Sequence, residues 1–386
     1  MQQVSPLRIL LVSPYHGGSH QSWAEGLLRN SRHQLQLLTL PARYWKWRMH
    51  GGALTLARRC PSGSFDLLVA TDMLDLSTFL ALQRRRLGHL PCLLYMHENQ
   101  LTYPLPEDPS TGPMRRQLGE RDQHYAFVNL SSMLAADAVW FNSEFHRRSF
   151  FEELPGFLRH FPEHRELGRV PRLKRRCRVM PVGVELPEEV PAGKPSPPLI
   201  VWNQRWEYDK DPQAFFQALY RLQDSGSDFR LALCGQRFAR RPSEFEQARG
   251  RLEGRIVHEG FADRRTYRRL LDESSVVLST ACHEFFGISV LEAVGHGAFP
   301  VLPDRLSYPE LIPREFHRHC LYQDQQGLDR RLKWAVDHPG AALQQAASLA
   351  EALRRYDWKQ VSRLYDSGFL ELRHSRMGAG RRNNEG

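Results

Sequence analysis

The chain has 386 residues, 41% hydrophobic and 25% charged, which suits two globular domains with full cores and excludes wholesale disorder. Apolar runs such as 9–12 and 276–278 are far too short for a membrane span, and the first is too short for a signal-peptide core. Six scattered cysteines (60, 92, 177, 234, 282 and 320) with no Cys-x-x-Cys pair argue for reduced thiols in a cytoplasmic protein, against a disulfide frame or a zinc site. The formal charge is +10, and residues 1–198 carry +7 of it; only six of the 53 basic residues are lysine. Arginine forks suit phosphate, yet a solvated surface has the same composition, and on charge alone the solvated surface is the preferred reading.

In chain order, residues 7–13 read as a buried strand, followed by a Gly17-Gly18 turn and a helix opening at Ser19. Short apolar strands recur at 34–40, 66–70, 91–96 and 138–141 with helical patterns between them, the alternation of a doubly wound parallel sheet. A basic stretch, 165–178, leads to a proline-rich segment that cannot join a central strand or helix and therefore reads as a linker. The rhythm then restarts, with strands expected at 199–203, 229–234, 256–259, 275–280 and 299–302. The expected domains are thus 1–186 and 199–340, joined by a linker at 187–198. C-terminal helices at 341–373 and a disordered tail at 374–386 complete the expectation.

The segment STACHEFFGISVLEAVGHG places Glu284 and Glu292 eight apart around a Phe-Phe-Gly turn that opens a helix near Ile288. A helix N-terminus offers free amides and partial positive charge to a phosphate. Gly287 lets a ligand approach the backbone, and the two carboxylates can accept from sugar hydroxyls on either side. Taken alone, Glu284 as a cap and Glu292 as a surface residue explain the pattern equally well. In VWNQRWEYDKDP, Arg205 and Lys210 follow a strand end, before a helix starting near Asp211-Pro212. A basic pair at the carboxyl end of a parallel strand is placed to neutralise phosphate. Asp209-Lys210-Asp211 spells D-x-D, but the intervening cation repels a divalent metal; Asp209 and Asp211 read as turn and helix-start residues. His16 and His20 flank a glycine turn, not a helix face, so zinc is not expected there.

Three stretches of the first half are also unusual. GGSH (17–20) puts a histidine at the first strand-to-helix junction. LPARYWKWR (40–48), read as a loop, interleaves Arg43, Lys46 and Arg48 with Tyr44, Trp45 and Trp47, which suits stacking on unpaired bases beside phosphates and also a lid over the core. YMHENQLTYP (95–104) sets His97, Glu98 and Asn99 at the carboxyl end of the fourth strand, where such sheets bind ligands; a satisfied strand-end histidine is the plainer alternative.

Arg-x4-Lys followed about 75 residues later by Glu-x7-Glu resembles the donor half of glycosyltransferase family 4, of the GT-B fold. HGGSH, LPARYWKWR, MHENQLTYP, ERDQHYAFVNL, FNSEFHRRSF, FPEHR, RWEYDKDP, HEFFGISVLEAV and SYPELIP are similar to blocks of one branch, the tRNA-queuosine mannosyltransferases. Where that branch leads one to expect a carboxylate four residues before the Gly-Gly turn, this chain has Ser13. The resemblance implies an α/β GT-B protein: two Rossmann-like domains facing a central cleft, with a C-terminal helix packing back on the N-terminal domain. It implies retaining transfer of mannose from GDP-mannose to the cyclopentenediol of queuosine in a tRNA anticodon loop, with no metal or other cofactor and no membrane partner. Arg205 and Lys210 would hold the diphosphate, Glu284 the transferred sugar and Glu292 the ribose, with His97 near the sugar face. Phe285, Gly287, Ile288, Gly17 and Gly18 would complete the donor site. His20, Arg43, Trp45, Trp47, Arg48, Asn99, Arg121 and Asp122 would meet the tRNA. A family 4 enzyme acting on a lipid or polysaccharide acceptor, or a catalytically silent RNA-binding relative, is the alternative.

Overall fold

A computed structural model describes residues 5–104, 112–191, 193–235 and 243–382, the side chains of 112–122 and 377–382 excepted. The chain divides into one unit that ends at Gly183 and resumes at Trp358, and a second spanning Val184–Asp357.

Unit 1 is built on six parallel strands: β1 (Arg8–His16), β2 (Gln34–Pro41), β3 (Leu67–Thr71), β4 (Cys92–Met96), β5 (Ala138–Phe141) and β6 (Cys177–Val179). They lie in the order β2-β1-β3-β4-β5-β6. The crossovers are α1 (Gly18–Asn30), α2 (Trp45–Arg58), α3 (Leu76–Leu87), α4 (Gly112–Ala135), α5 (Glu144–Arg159) and the short α6 (Val170–Arg175). Strands β3 and β4 are buried at every position, which is why they read as continuous apolar runs: a parallel sheet is covered on both faces. The order reverses between β1 and β3, so the chain leaves those two strands in opposite directions and opens a crevice at their carboxyl ends.

Unit 2 repeats the plan with β7 (Leu199–Trp202), β8 (Arg230–Cys234), β9 (Ile256–Gly260), β10 (Ser274–Leu278), β11 (Phe299–Pro303) and β12 (Leu321–Tyr322), in the order β12-β11-β10-β7-β8-β9. Its helices are α7 (Pro212–Asp224), α8 (Glu244–Leu252), α9 (Arg264–Glu273), α10 (Ile288–Gly295), α11 (Tyr308–Leu311), α12 (His317–Cys320), α13 (Gln325–Asp337) and α14 (Pro339–Leu353). Here the reversal falls between β7 and β10, paired in parallel through Ile200↔Val276 and Val201↔Val277.

The final helix, α15 (Trp358–Arg382), belongs to unit 1. Trp23 Nε1 donates to the Tyr365 hydroxyl at 2.9 Å, Phe369 stacks on Trp140 at 5.4 Å, and Ser31 donates to Asp366 at 2.5 Å. Three expectations change. Unit 2 begins at Val184 and runs through α13 and α14 to Asp357, so the 199–340 limits are too narrow and the proline-rich segment is part of it. The tail expected to be disordered from 374 is helical to Arg382, because a helix anchored by Tyr365 and Phe369 extends at little cost through Met377, Ala379 and the arginines. Strands β6 and β12, three and two residues long, were too short to leave a pattern. Among the described residues no helix is long and apolar enough to cross a membrane.

Trp358 is the keystone of this docking. A Cβ added to Gly26 or Gly183 would lie 2.3 Å from its indole, so both glycines are there to let the ring in. Gly183→Ala should therefore cost about 1–3 kcal/mol by overpacking and Trp358→Ala about 3–5 kcal/mol. Gly250→Ala, in an open helical position, should add about 0.5–1 kcal/mol. Chemical denaturation of the three variants checks the order.

Candidate functional site

The two sequence motifs of unit 2 follow β7 and β10, the strands that flank its switch point. The chain leaves β7 through Asn203–Glu207, makes a 3-10 turn at Tyr208–Lys210, and enters α7 at Pro212. Asp211 caps α7, accepting from the Ala214 amide at 3.0 Å with its own backbone left-handed at φ 48°. The loop after β10 meets this turn directly. The amides of Cys282 and His283 donate to the Asp209 carbonyl at 2.8 and 3.2 Å. Thr280 Oγ1 donates to the carbonyls of Lys210 and Asp211 at 2.8 and 2.9 Å. Motifs 75 residues apart are thereby stitched into one body.

Lys210 is buried at the centre. Its Nζ donates to the His283 carbonyl at 2.5 Å and lies 3.1 Å from Asp209 Oδ2 and 3.4 Å from Glu284 Oε2. Burial opposes its charge, but Glu284 and Asp209 outweigh that and raise its pKa. The same pair settles Glu284, whose pKa falls although burial would lift it, because Lys210 and the Phe286 amide favour the carboxylate. His283, buried beside the lysine, is pushed down to about 4 and stays neutral. Arg205 is half exposed, 3.1 Å from Glu207 and 3.9 Å from Asp209. Asp209, read from sequence as a turn residue, is a buried counter-ion of Lys210 and carries more than a turn.

Helix α10 starts at Gly287, whose φ of 103° is the left-handed geometry that glycine tolerates. A Cβ there would meet Leu311 at 2.9 Å, so the fold itself already calls for glycine at this position. Phe285 and Phe286 are buried anchors of the turn, Phe285 edge-on to His283 at 4.4 Å, and Ile288 is half-buried. Glu292, one turn into α10, accepts from the Tyr267 hydroxyl at 2.7 Å, and Asn203 donates to that hydroxyl at 3.1 Å. Burial raises the Glu292 pKa against the Tyr267 hydrogen bond. Sequence reasoning missed Tyr267 and Asn203; the one signal available was that Asn203 directly follows β7.

In unit 1 polar groups gather at the ends of β3, β4 and β5. The His97 amide donates to Asp72 at 2.9 Å, Asn142 Nδ2 donates to the His97 carbonyl at 2.8 Å, and Asn142 Oδ1 faces His146 Nδ1 at 2.8 Å. The ring of His97 sits 4.2 Å from His20, 4.7 Å from Trp23 and 4.8 Å from Tyr95. Burial, helped by His20 and His146, holds its pKa well below the usual imidazole value; its Nε2 is buried without a hydrogen-bond partner. His97 is therefore a neutral donor or acceptor.

The remaining expected residues part company. Gly17 and Gly18 lie in unit 1: Gly17 because a Cβ would strike Ala42 at 2.5 Å, Gly18 exposed with φ 53°. Asn99 is wholly buried, its Oδ1 accepting from the Leu101 and Thr102 amides, so it shapes the loop and offers no edge to an acceptor. The 40–48 stretch is not a loop throughout: α2 begins at Trp45 after a left-handed Tyr44. Trp45 packs against a small apolar cluster, whereas Trp47 is 64% exposed. Arg43 is exposed; Arg48 Nε donates to the Pro41 carbonyl. The side chains of Arg121 and Asp122 lie outside the described residues.

Solved structures share this architecture at low identity. The chain is similar to a sucrose-phosphate synthase from Thermosynechococcus elongatus (TM-score 0.67, 15% identity, 96% of this chain and 100% of that one). It is also similar to a glycosyltransferase from Rickettsia africae (TM-score 0.66, 14% identity, 96% and 99%). The Anabaena protein HepE, solved in complex with UDP, matches as well (TM-score 0.62, 14% identity, 95% and 100%). Fold and motif loops together define a glycosyltransferase of the GT-B class. A family model described as tRNA-queuosine alpha-mannosyltransferase N-terminal matches residues 8–184, and one for family 4 glycosyltransferases in conflict systems matches 209–364. The tRNA-queuosine alpha-mannosyltransferase of Drosophila melanogaster is 33% identical over 337 residues, 84% of this chain and 85% of its own. The chain belongs to the tRNA-queuosine alpha-mannosyltransferase family.

Because Lys210 is the shared partner of two buried or half-buried carboxylates, Lys210→Ala should cost about 3–5 kcal/mol of stability at neutral pH. Arg205→Ala, at an exposed pair, should cost at most about 1 kcal/mol. The Glu284 pKa is depressed, so its contribution is present above the ordinary carboxylate range and lost as pH falls through the folded value. The Lys210→Ala deficit should accordingly narrow on acidification; denaturant titrations over a pH series measure it.

Proposed function

We propose that the chain transfers mannose from GDP-mannose, with retention of configuration, to the cyclopentenediol of queuosine in a tRNA anticodon loop. The observation that carries the donor half is the buried, charged Lys210 held at the switch point beside Arg205 and the start of α10. Two cations and a helix N-terminus are a fit for a nucleoside diphosphate as leaving group. In this reading Glu284 orients the hexose and Glu292, aligned by Tyr267, accepts from the ribose hydroxyls. As the bond from the anomeric carbon to the diphosphate oxygen breaks, the acceptor hydroxyl attacks from the same face. Its proton passes to the departing phosphate, and Arg205 and Lys210 balance the charge. In this reading no metal takes part, and the Lys210 ammonium 3.1 Å from Asp209 supports it by opposing a divalent ion on that carboxylate. Family membership supports a queuosine-containing tRNA as acceptor in the cytoplasm, and the excess positive charge of the first half supports contact with its phosphates.

Purified protein with GDP-mannose and queuosine-containing tRNA should yield a nucleoside heavier by one hexose on mass spectrometry. Transfer to tRNA lacking queuosine would refute the acceptor.

Turnover should persist in excess EDTA; loss restored by Mg²⁺ or Mn²⁺ would overturn the metal-free reading. Arg205→Ala should lower kcat by about 10²–10³-fold, the scale of a lost transition-state donor.

The two glutamates should fail differently in GDP titrations and steady-state kinetics. Glu292→Ala weakens GDP itself, whereas Glu284→Ala leaves GDP affinity near wild type and reduces turnover. Equal losses of GDP affinity would contradict the assignment.

A further inference from the structure

Unit 1 carries a series of ring side chains that the donor chemistry does not use. It starts at His97, continues to His20 at 4.2 Å and reaches Tyr15 at 5.8 Å. Tyr15 shares with Trp45 and Tyr125 a small apolar cluster of Met49, Met73 and Val128, between α2, α4 and the end of β3. Tyr125 lies 5.2 Å from both Trp45 and His50, and His50 stacks on His124 at 4.9 Å with ring planes 19° apart. Lys46 Nζ sits 5.3 and 5.5 Å from the rings of Trp45 and Tyr125.

Burial falls along the series: His97 and His20 are buried, Tyr125, Trp45 and His50 half-buried, and His124 exposed. Core packing does not account for the outer end. Two stacked imidazoles, one open to water, bury little apolar surface, and an aliphatic pair at the same positions would pack better. A flat ring open to water, continued inward by rings that carry a cation at Trp45 and Tyr125, is what an unpaired nucleobase and its phosphate stack upon and pair with. Burial and the neighbouring His124 lower the pKa of His50, which favours a neutral His50 ring suited to stacking.

We infer that the ridge formed by α2 and α4 is an acceptor track on which unpaired nucleobases flanking the modified nucleoside stack, with His124 as its outermost rung. The track rests on the RNA acceptor proposed for this chain and adds to it a place and a mode of recognition: base stacking on a ridge that leads from the surface toward His97.

The test uses the full chain and a queuosine-containing anticodon stem-loop, with affinity read by fluorescence anisotropy at several salt concentrations. His124→Ala should weaken binding about 5- to 100-fold, the range for loss of one stacked base. The salt slope, GDP affinity and melting temperature should not change, since no phosphate contact or core group is removed. His124→Phe should restore binding, and a stem-loop abasic at the flanking positions should bind wild type and His124→Ala alike. The track is overturned if His124→Ala binds as wild type does, if His124→Phe falls with it, or if the deficit persists on the abasic loop. Wild-type protein that neither binds nor modifies the stem-loop would refute the RNA acceptor itself; binding by wild type with no His124→Ala deficit would refute the track alone.

Discussion

A lysine ammonium removed from water has to be matched within a few ångströms, and in unit 2 that demand falls on Lys210. Asp209 and Glu284 supply the charge and the His283 carbonyl a hydrogen bond, and these partners come from two loops that the chain reaches 75 residues apart. Satisfying the lysine therefore fixes the β7–α7 turn against the β10–α10 turn. Once they are fixed, the left-handed Gly287 sets where α10 begins and the helix carries Glu292 to Tyr267. The carboxylates and the cation are thus aligned with one another by the fold itself.

Unit 1 meets its own strand-end requirement without charge. Asp72, His97, Asn142 and His146 are joined through amide, carbonyl and ring nitrogen, and burial keeps His97 neutral. Behind them, Trp23 and Tyr95 stack at 4.4 Å, and both are closed off by Tyr365 from the last helix. Residues more than three hundred positions downstream thus hold the floor under the first strand-to-helix junction. A buried indole needs a partner for its N–H, and the Tyr365 hydroxyl provides it while donating in turn to the Pro181 carbonyl.

Much of this was legible before any coordinates. Central strands buried on both faces are apolar throughout, and together with the part-apolar edge runs of β2 and β9 ten strands could be read locally; β6 and β12 could not, being too short to show a period. Arg205, Lys210, Glu284 and Glu292 stood out as ionisable residues beside glycine and proline turns at strand ends, although a cap and a surface residue explained the two glutamates equally well. Local pattern could not reveal which of those charges answer one another. Asp209 looked like a turn residue, Tyr267 and Asn203 looked like nothing, Asn99 looked like an acceptor contact, and Trp45 and Trp47 looked alike. Only the tertiary structure buries Asp209 beside Lys210, brings Tyr267 to Glu292, seals Asn99 inside its own turn and turns Trp45 inward while leaving Trp47 out. Sequence determines what each residue can do within its own strand or helix. Burial and partnership depend on contacts across dozens or hundreds of positions, which exist only once both sheets have formed.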